Sequence, residues 1–120
     1  MLPEAGDIAW VDLDPVKGTE QAGRRPALIL TSSGYHQRSR RSVVCPITSV
    51  ESVWAFNVLL PPGMKTRGSV MVDQVRVVGR TERMFGIIEA APQQLLSDVR
   101  GRLAALLGFD VVMSVAKPQS

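Results

Sequence analysis

Two polar clusters stand at the ends of apolar runs in this sequence. Glu20, Gln21, Arg24 and Arg25 precede Pro26-Ala27-Leu28-Ile29-Leu30, and Thr48 and Ser49 follow Val43-Val44-Cys45-Pro46-Ile47. An arginine and a hydroxyl fixed on strand ends can donate to a phosphate where charge develops during phosphodiester cleavage. Pro26 restricts Arg25 to extended backbone angles and so sets the direction in which its side chain leaves the strand. Between Glu20 and Glu51 there is no acidic side chain, while Arg24, Arg25, Arg38, Arg40 and Arg41 all fall there. The net charge of +3 is modest, but this local excess suits an anionic partner, because the guanidinium fork matches phosphate geometry.

The rest of the chemistry is narrowed by counting. His36 is the single histidine and Cys45 the single cysteine. A nuclease with two catalytic histidines is excluded, and a zinc site of the usual composition would have only these two ligands. No Gly-rich phosphate loop with a following Lys-Ser or Lys-Thr is present. We expect no metal and no cofactor. His36 lies in a polar, Arg-rich stretch and reads as a loop residue, and Cys45, among Val43, Val44 and Ile47, reads as buried. The simplest remaining reaction is attack by RNA's own 2'-hydroxyl, which would leave a 2',3'-cyclic phosphate and a 5'-hydroxyl. Taken singly, each residue has a plainer role. Arg25 could pair with Glu20 or Asp14, Thr48 could satisfy backbone at a strand end, and Asp73-Gln74 could face solvent.

The elements that would hold these groups are mostly strands. Gly6 to Leu13 alternates as a strand near a core, and Val16 to Arg25 reads as a long loop with Gly18 and Gly23. Pro26 to Thr31 is a buried strand. Ser32 to Ser42 is polar, and Val43 to Thr48 is a strand in which Pro46 marks an edge or bulge. Trp54 to Leu60, Ser69 to Val78 and Arg83 to Glu89 complete six strand candidates, short and closely spaced, which points to a small barrel. Leu95, Leu96, Val99, Leu103, Leu106 and Leu107 recur at helical spacing between Pro92 and Gly108, defining an amphipathic C-terminal helix. Gly101 inside it implies a closely approaching neighbour. Trp54 and Phe56 read as core packing before base stacking. The segment from Phe109 to Ser120 is compatible with a strand, a docking segment or a tail.

A length of 120 residues suits one domain, and 45% hydrophobic against 21% charged residues is the balance of a globular chain. No apolar run approaches the ~18 residues of a membrane span, and the acidic N-terminus lacks a signal pattern, so a cytoplasmic protein is expected.

The block GDIAWVDLDPVKGTEQAGRRPALIL resembles the N-terminal signature of the MazF and PemK toxins, VVCPITS resembles their second signature, and Asp73-Gln74 within SVMVDQVRVV is a third match. The resemblance runs from Gly6 to about Leu107. It implies one toxin domain, a β-rich fold built as an SH3-like, CcdB-like barrel with a C-terminal helix, and a homodimer. It also implies metal-independent, sequence-specific cleavage of single-stranded RNA and inhibition by a cognate antitoxin. Carried residue by residue, the catalytic arginine falls on Arg25 and the catalytic threonine on Thr48, with Glu20, Gln21, Ser49 and Gln74 lining the RNA groove and Arg24 beside them. The alternative from another class is a CcdB-like toxin of the same fold that binds a gyrase without enzymatic action. Its target-binding C-terminal tail is not matched by Val115-Ala116-Lys117-Pro118-Gln119-Ser120.

Overall fold

A computed structural model of the chain describes residues 2–13 and 23–109. Strand β1 (Asp7–Asp12) buries Ile8, Ala9 and Val11 on its two faces, because it separates two apolar clusters, while Trp10 is exposed and the terminal Asp7 and Asp12 are half-buried. Ile8 points into one with Leu28, Cys45, Val70 and Val99. Ala9 and Val11 point into the other with Ala27, Ile29, Val44 and Val78. Strand β2 (Arg24–Ile29) pairs antiparallel with β1, placing Val11 opposite Arg25 and Asp12 opposite Arg24. Burying a side chain such as Ile8 or Leu28 completely contributes about 1.5–3 kcal/mol, so these central strands hold the molecule together.

Strand β3 (Arg41–Thr48) is the hub. One edge pairs with β2, and the other pairs first with β6 (Arg76–Gly79) and then with β5 (Ser69–Met71). The expected single strand from Ser69 to Val78 is therefore two strands, separated by a 3-10 turn over Val72–Gln74. The break falls beside Pro46, which has no N–H to offer a ladder, so little is lost where the neighbouring chain swings out. The rest of the sheet is β4 (Asn57–Leu59), paired with β5, and β7 (Met84–Ala90), paired with β1 across two register shifts.

The strand order β4-β5-β3-β2-β1-β7, with β6 beside β3, is antiparallel throughout and β-rich as expected, but it does not close into a barrel. No ladder joins β4 to β7 among the described residues. Instead, Glu89 on β7 accepts from the Lys65 N–H (3.0 Å), the Thr66 N–H (2.7 Å) and the Thr66 hydroxyl (2.6 Å), all in the turn between β4 and β5. The sheet ends are stitched by one carboxylate.

The helix α3 (Gln93–Leu107) follows the leucine spacing and ends at Gly108, where the Phe109 N–H returns to Ala104 O at 2.8 Å. Leu95 and Val99 enter the core, while Leu107 is 58% and Phe109 67% exposed. Gly101 has no close neighbour, since a Cβ there would meet nothing within 4 Å. Among the described residues, the close approach expected of it is absent.

Three local expectations change. The region from Trp54 to Leu60 is strand only at β4, and Trp54 is half exposed rather than packed in the core. It stacks edge-on against Phe56 and donates from Nε1 to Asp73 at 2.9 Å. The polar stretch after β2 contains a helical turn, α1 (Ser33–His36), and Arg83 belongs to a second, α2 (Arg80–Arg83). His36 is buried, not a loop residue in solvent. Its Nδ1 donates to the Pro3 carbonyl (2.9 Å), and Nε2 meets the hydroxyls of Thr31 (2.7 Å) and Ser42 (2.8 Å). Those contacts rivet the N-terminal segment to β3.

Cys45 is buried as expected, and burial, with a smaller contribution from the Asp73 charge, pushes its thiol up to about 12. Because the thiolate is the reactive form, the folded protein at pH 8 should resist iodoacetamide and react only once unfolded. Native-state alkylation at the rate of a free thiol would contradict this burial.

Candidate active site

The β2–β3 ladder pairs Ala27 with Pro46. Carried two residues further, its register sets Arg25 across from Thr48. Side chains alternate along a strand, so Arg25, Ala27, Pro46 and Thr48 share one face. At this open strand end lies a cleft of about 330 Å³ lined by Leu13, Arg25, Pro46, Met71, Gln74 and Arg76. The 3-10 turn brings Gln74 to it. Arg25 is exposed, and among the described residues its guanidinium has no hydrogen-bond or ion-pair partner. Thr48 is half-buried, and its Oγ1 accepts from the Val50 N–H at 3.2 Å. That contact leaves the hydroxyl proton free to donate elsewhere.

The neighbouring groups are fixed by backbone. Arg76 Nη1 donates to Leu13 O at 2.8 Å, and the Leu13 N–H donates to Gly23 O at 3.2 Å, closing the base of the loop between β1 and β2 beside the cleft. Glu20 and Gln21 lie outside the described residues. The other candidates separate. Arg24 belongs to the opposite face of β2, where its guanidinium sits 3.8 Å above the Phe85 ring. Ser49 lines a second hollow of about 290 Å³ on that face, with Trp10, Pro26, Ile47, Lys65, Thr66, Arg67 and Ile88. The sequence thus names seven site residues, of which Arg25 and Gln74 line one cleft, Thr48 shares its face, and Arg24 and Ser49 turn away.

Sequence reasoning passed over Arg76, which follows Gln74 by two positions and lines the same cleft. The spacing was a usable signal, obscured by reading that region as one continuous strand. Lys65 and Arg67, the cations of the second hollow, carried no comparable signal, since turn residues of that kind are ordinarily solvated. Among the described residues no three His, Cys, Asp or Glu side chains converge as a metal site would require. No helix there is long and apolar enough to cross a membrane.

Known proteins share this arrangement over nearly the whole chain. The crystal structure of MazF from Deinococcus radiodurans superposes with a TM-score of 0.82 at 36% identity, covering 91% of this chain and 99% of that one. A MazE–MazF crystal structure from the same organism gives 0.83 at 35% identity, covering 92% and 99%. The endoribonuclease PemK of Escherichia coli is 37% identical over 108 residues, which is 87% of this chain and 81% of that protein. The endoribonuclease toxin MazF of Escherichia coli K12 is 33% identical over 107 residues, covering 89% and 96%. Residues 4–107 match the family described as PemK-like, MazF-like toxins of type II toxin–antitoxin systems, and the chain belongs to that family.

Proposed function

We propose that this endoribonuclease toxin cuts single-stranded RNA at the open end of the β2–β3 pair, with Arg25 and Thr48 as its catalytic residues. The observation that carries the reading is the cleft that Arg25 shares with Gln74 at the end of the Ala27–Pro46 ladder, whose register extended by two residues sets Arg25 across from Thr48. The 2'-hydroxyl attacks the adjacent phosphorus as its proton passes to solvent water, charge accumulates on the non-bridging oxygens, and the P–O5' bond breaks as the 5'-oxygen takes up a proton. A guanidinium offers five N–H donors and no acceptor, so it is a poor base. Arg25 therefore stabilises the phosphorane and donates a proton to the leaving oxygen, which solvent water restores, while the Thr48 hydroxyl donates from the opposing strand. The products are a 2',3'-cyclic phosphate and a 5'-hydroxyl, with no metal required.

Gln74 contacts the nucleotide at the scissile phosphate. Ser49 and Arg24, turned to the other face, serve nucleotides further along the strand, and Glu20 and Gln21 join the RNA groove on the strength of the family resemblance. The physiological partners are RNA and a cognate antitoxin, a reading supported by relatives solved as MazE–MazF complexes. The toxin acts in the cytoplasm as a homodimer, which the exposed Leu106, Leu107 and Phe109 at the end of α3 favour. RNA incubated with the protein in EDTA should yield fragments with cyclic phosphate and 5'-hydroxyl ends. A deoxyribose 5' to the scissile phosphate should block cutting at that bond, and continued cleavage there would exclude 2'-hydroxyl attack.

A further inference from the structure

We propose that Glu89 and Thr66 are positioning residues for Thr48, acting through the turn that joins β4 to β5. The inference rests on the reading of Thr48 as a catalytic residue. Thr48 lies two residues beyond the last β2–β3 pair, so in the ladders it is held from the β5 side, where it pairs with Ser69. The next segment is tied to the same strand, because the Ser52 N–H donates to Ser69 Oγ at 3.1 Å. Immediately before Ser69, Gly68 presses on the Thr48 peptide so closely that a Cβ there would stand 1.8 Å from Thr48 O and 2.8 Å from Ser49 Cα. The path of residues 66–69 therefore sets where Thr48 stands.

That path is fixed from the far end of the sheet. The Glu89 carboxylate gathers two consecutive backbone N–H groups and the Thr66 hydroxyl, a three-donor clasp on a single turn. Thr66 is buried beneath it, and Leu60 N–H to Gly68 O, at 2.9 Å, closes the turn from the β4 side. Partial burial opposes the charge on Glu89, but the Thr66 hydroxyl and the Lys65 and Thr66 N–H groups outweigh it and hold the carboxyl below its ordinary value. A displacement of about 1 Å at a reacting group can cost on the order of 10²-fold in rate, so a turn released by the loss of this clasp should be felt at the phosphate.

The test measures single-turnover cleavage at saturating RNA, affinity for the same oligonucleotide with a 2'-deoxy block at the scissile position, and the circular dichroism spectrum. Glu89→Ala and Thr66→Val should each slow cleavage about tenfold, with affinity within about twofold of wild type and the spectrum unchanged. Thr66→Ser, which keeps the hydroxyl, should restore the rate. Wild-type rates in both clasp variants would overturn the proposal, as would a loss confined to affinity, a Thr66→Ser variant as slow as Thr66→Val, or loss of the fold in both. Thr48→Ala separates the two readings. If it cleaves normally, the assignment of Thr48 itself fails. If it is inactive while the clasp variants are normal, only the positioning role fails.

Discussion

Arg25→Ala is expected to cleave RNA about 10³-fold more slowly than wild type while keeping its fold and most of its thermal stability. The magnitude follows from removing a charged donor from the developing phosphorane, since deletion of one such donor typically costs ~10²–10³ and of an arginine finger ~10³–10⁵ in rate. The fold should be indifferent. Arg25 is exposed, and substitutions of exposed residues usually change stability by less than about 0.5 kcal/mol. Arg25→Lys keeps the charge but not the planar fork, so it should recover only part of the loss. Thr48→Ala, which removes one neutral donor, should cost roughly 10²-fold. Single-turnover rates set beside thermal melts decide the matter: an Arg25→Ala protein within tenfold of wild type would remove Arg25 from the chemistry.

The second large effect belongs to a glycine. Gly68 has φ +114°, and the atoms that its Cβ would strike are backbone atoms of Thr48 and Ser49, which cannot rotate away as a flexible side chain can. Gly68→Ala should therefore cost about 2–5 kcal/mol, the sum of a left-handed conformation that alanine resists and of overpacking. It should also abolish cleavage, because the displaced backbone is that of Thr48. Gly63 supplies the control, since its φ of +92° is similar but a Cβ there would meet nothing within 4 Å. Gly63→Ala should cost only ~1–2 kcal/mol, the conformational part alone. Urea unfolding of the two variants compares them directly, and equal midpoints would show that the close approach to Thr48 carries no energetic weight.

What the sequence disclosed, and what it hid, divides along local and distant interactions. The alternation of β1, the run of β2 and the leucine spacing of α3 are local signals, and each element formed within a few residues of its expected bounds. The turn over Val72–Gln74 was hidden because a 3-10 turn needs neither Gly nor Pro, and its β-branched neighbours read as strand. The separation of Arg24 from Arg25 became visible only once β2 was seen to begin at Arg24 and not at Pro26, for alternation then sends adjacent arginines to opposite faces. Glu89, and the Pro3 contact that completes the burial of His36 beside its near neighbours Thr31 and Ser42, were beyond local reading. Pro3 lies 33 residues from His36, and Thr66 lies 23 from Glu89. That Arg25 and Thr48 share a face follows from the β2–β3 register extended two residues past Ala27–Pro46, which neither motif contains alone.

Strand β3 changes neighbours at Pro46, and the 3-10 turn fills the interval between the two ladders. The β5 ladder and the β6 ladder are thus anchored separately on β3, and the bend between them is held by Val72, fully buried in the core, and by the Asp73 carboxylate, which accepts from Trp54 Nε1. Gln74 sits on that bend, whereas Arg25 and Thr48 sit on the anchored strands. The architecture therefore sets the two residues proposed for bond breaking on separately anchored strands and the proposed neighbouring contact on the bend between two ladders, so that substitution of Gln74 should change which RNA is cut more than how fast the bond breaks.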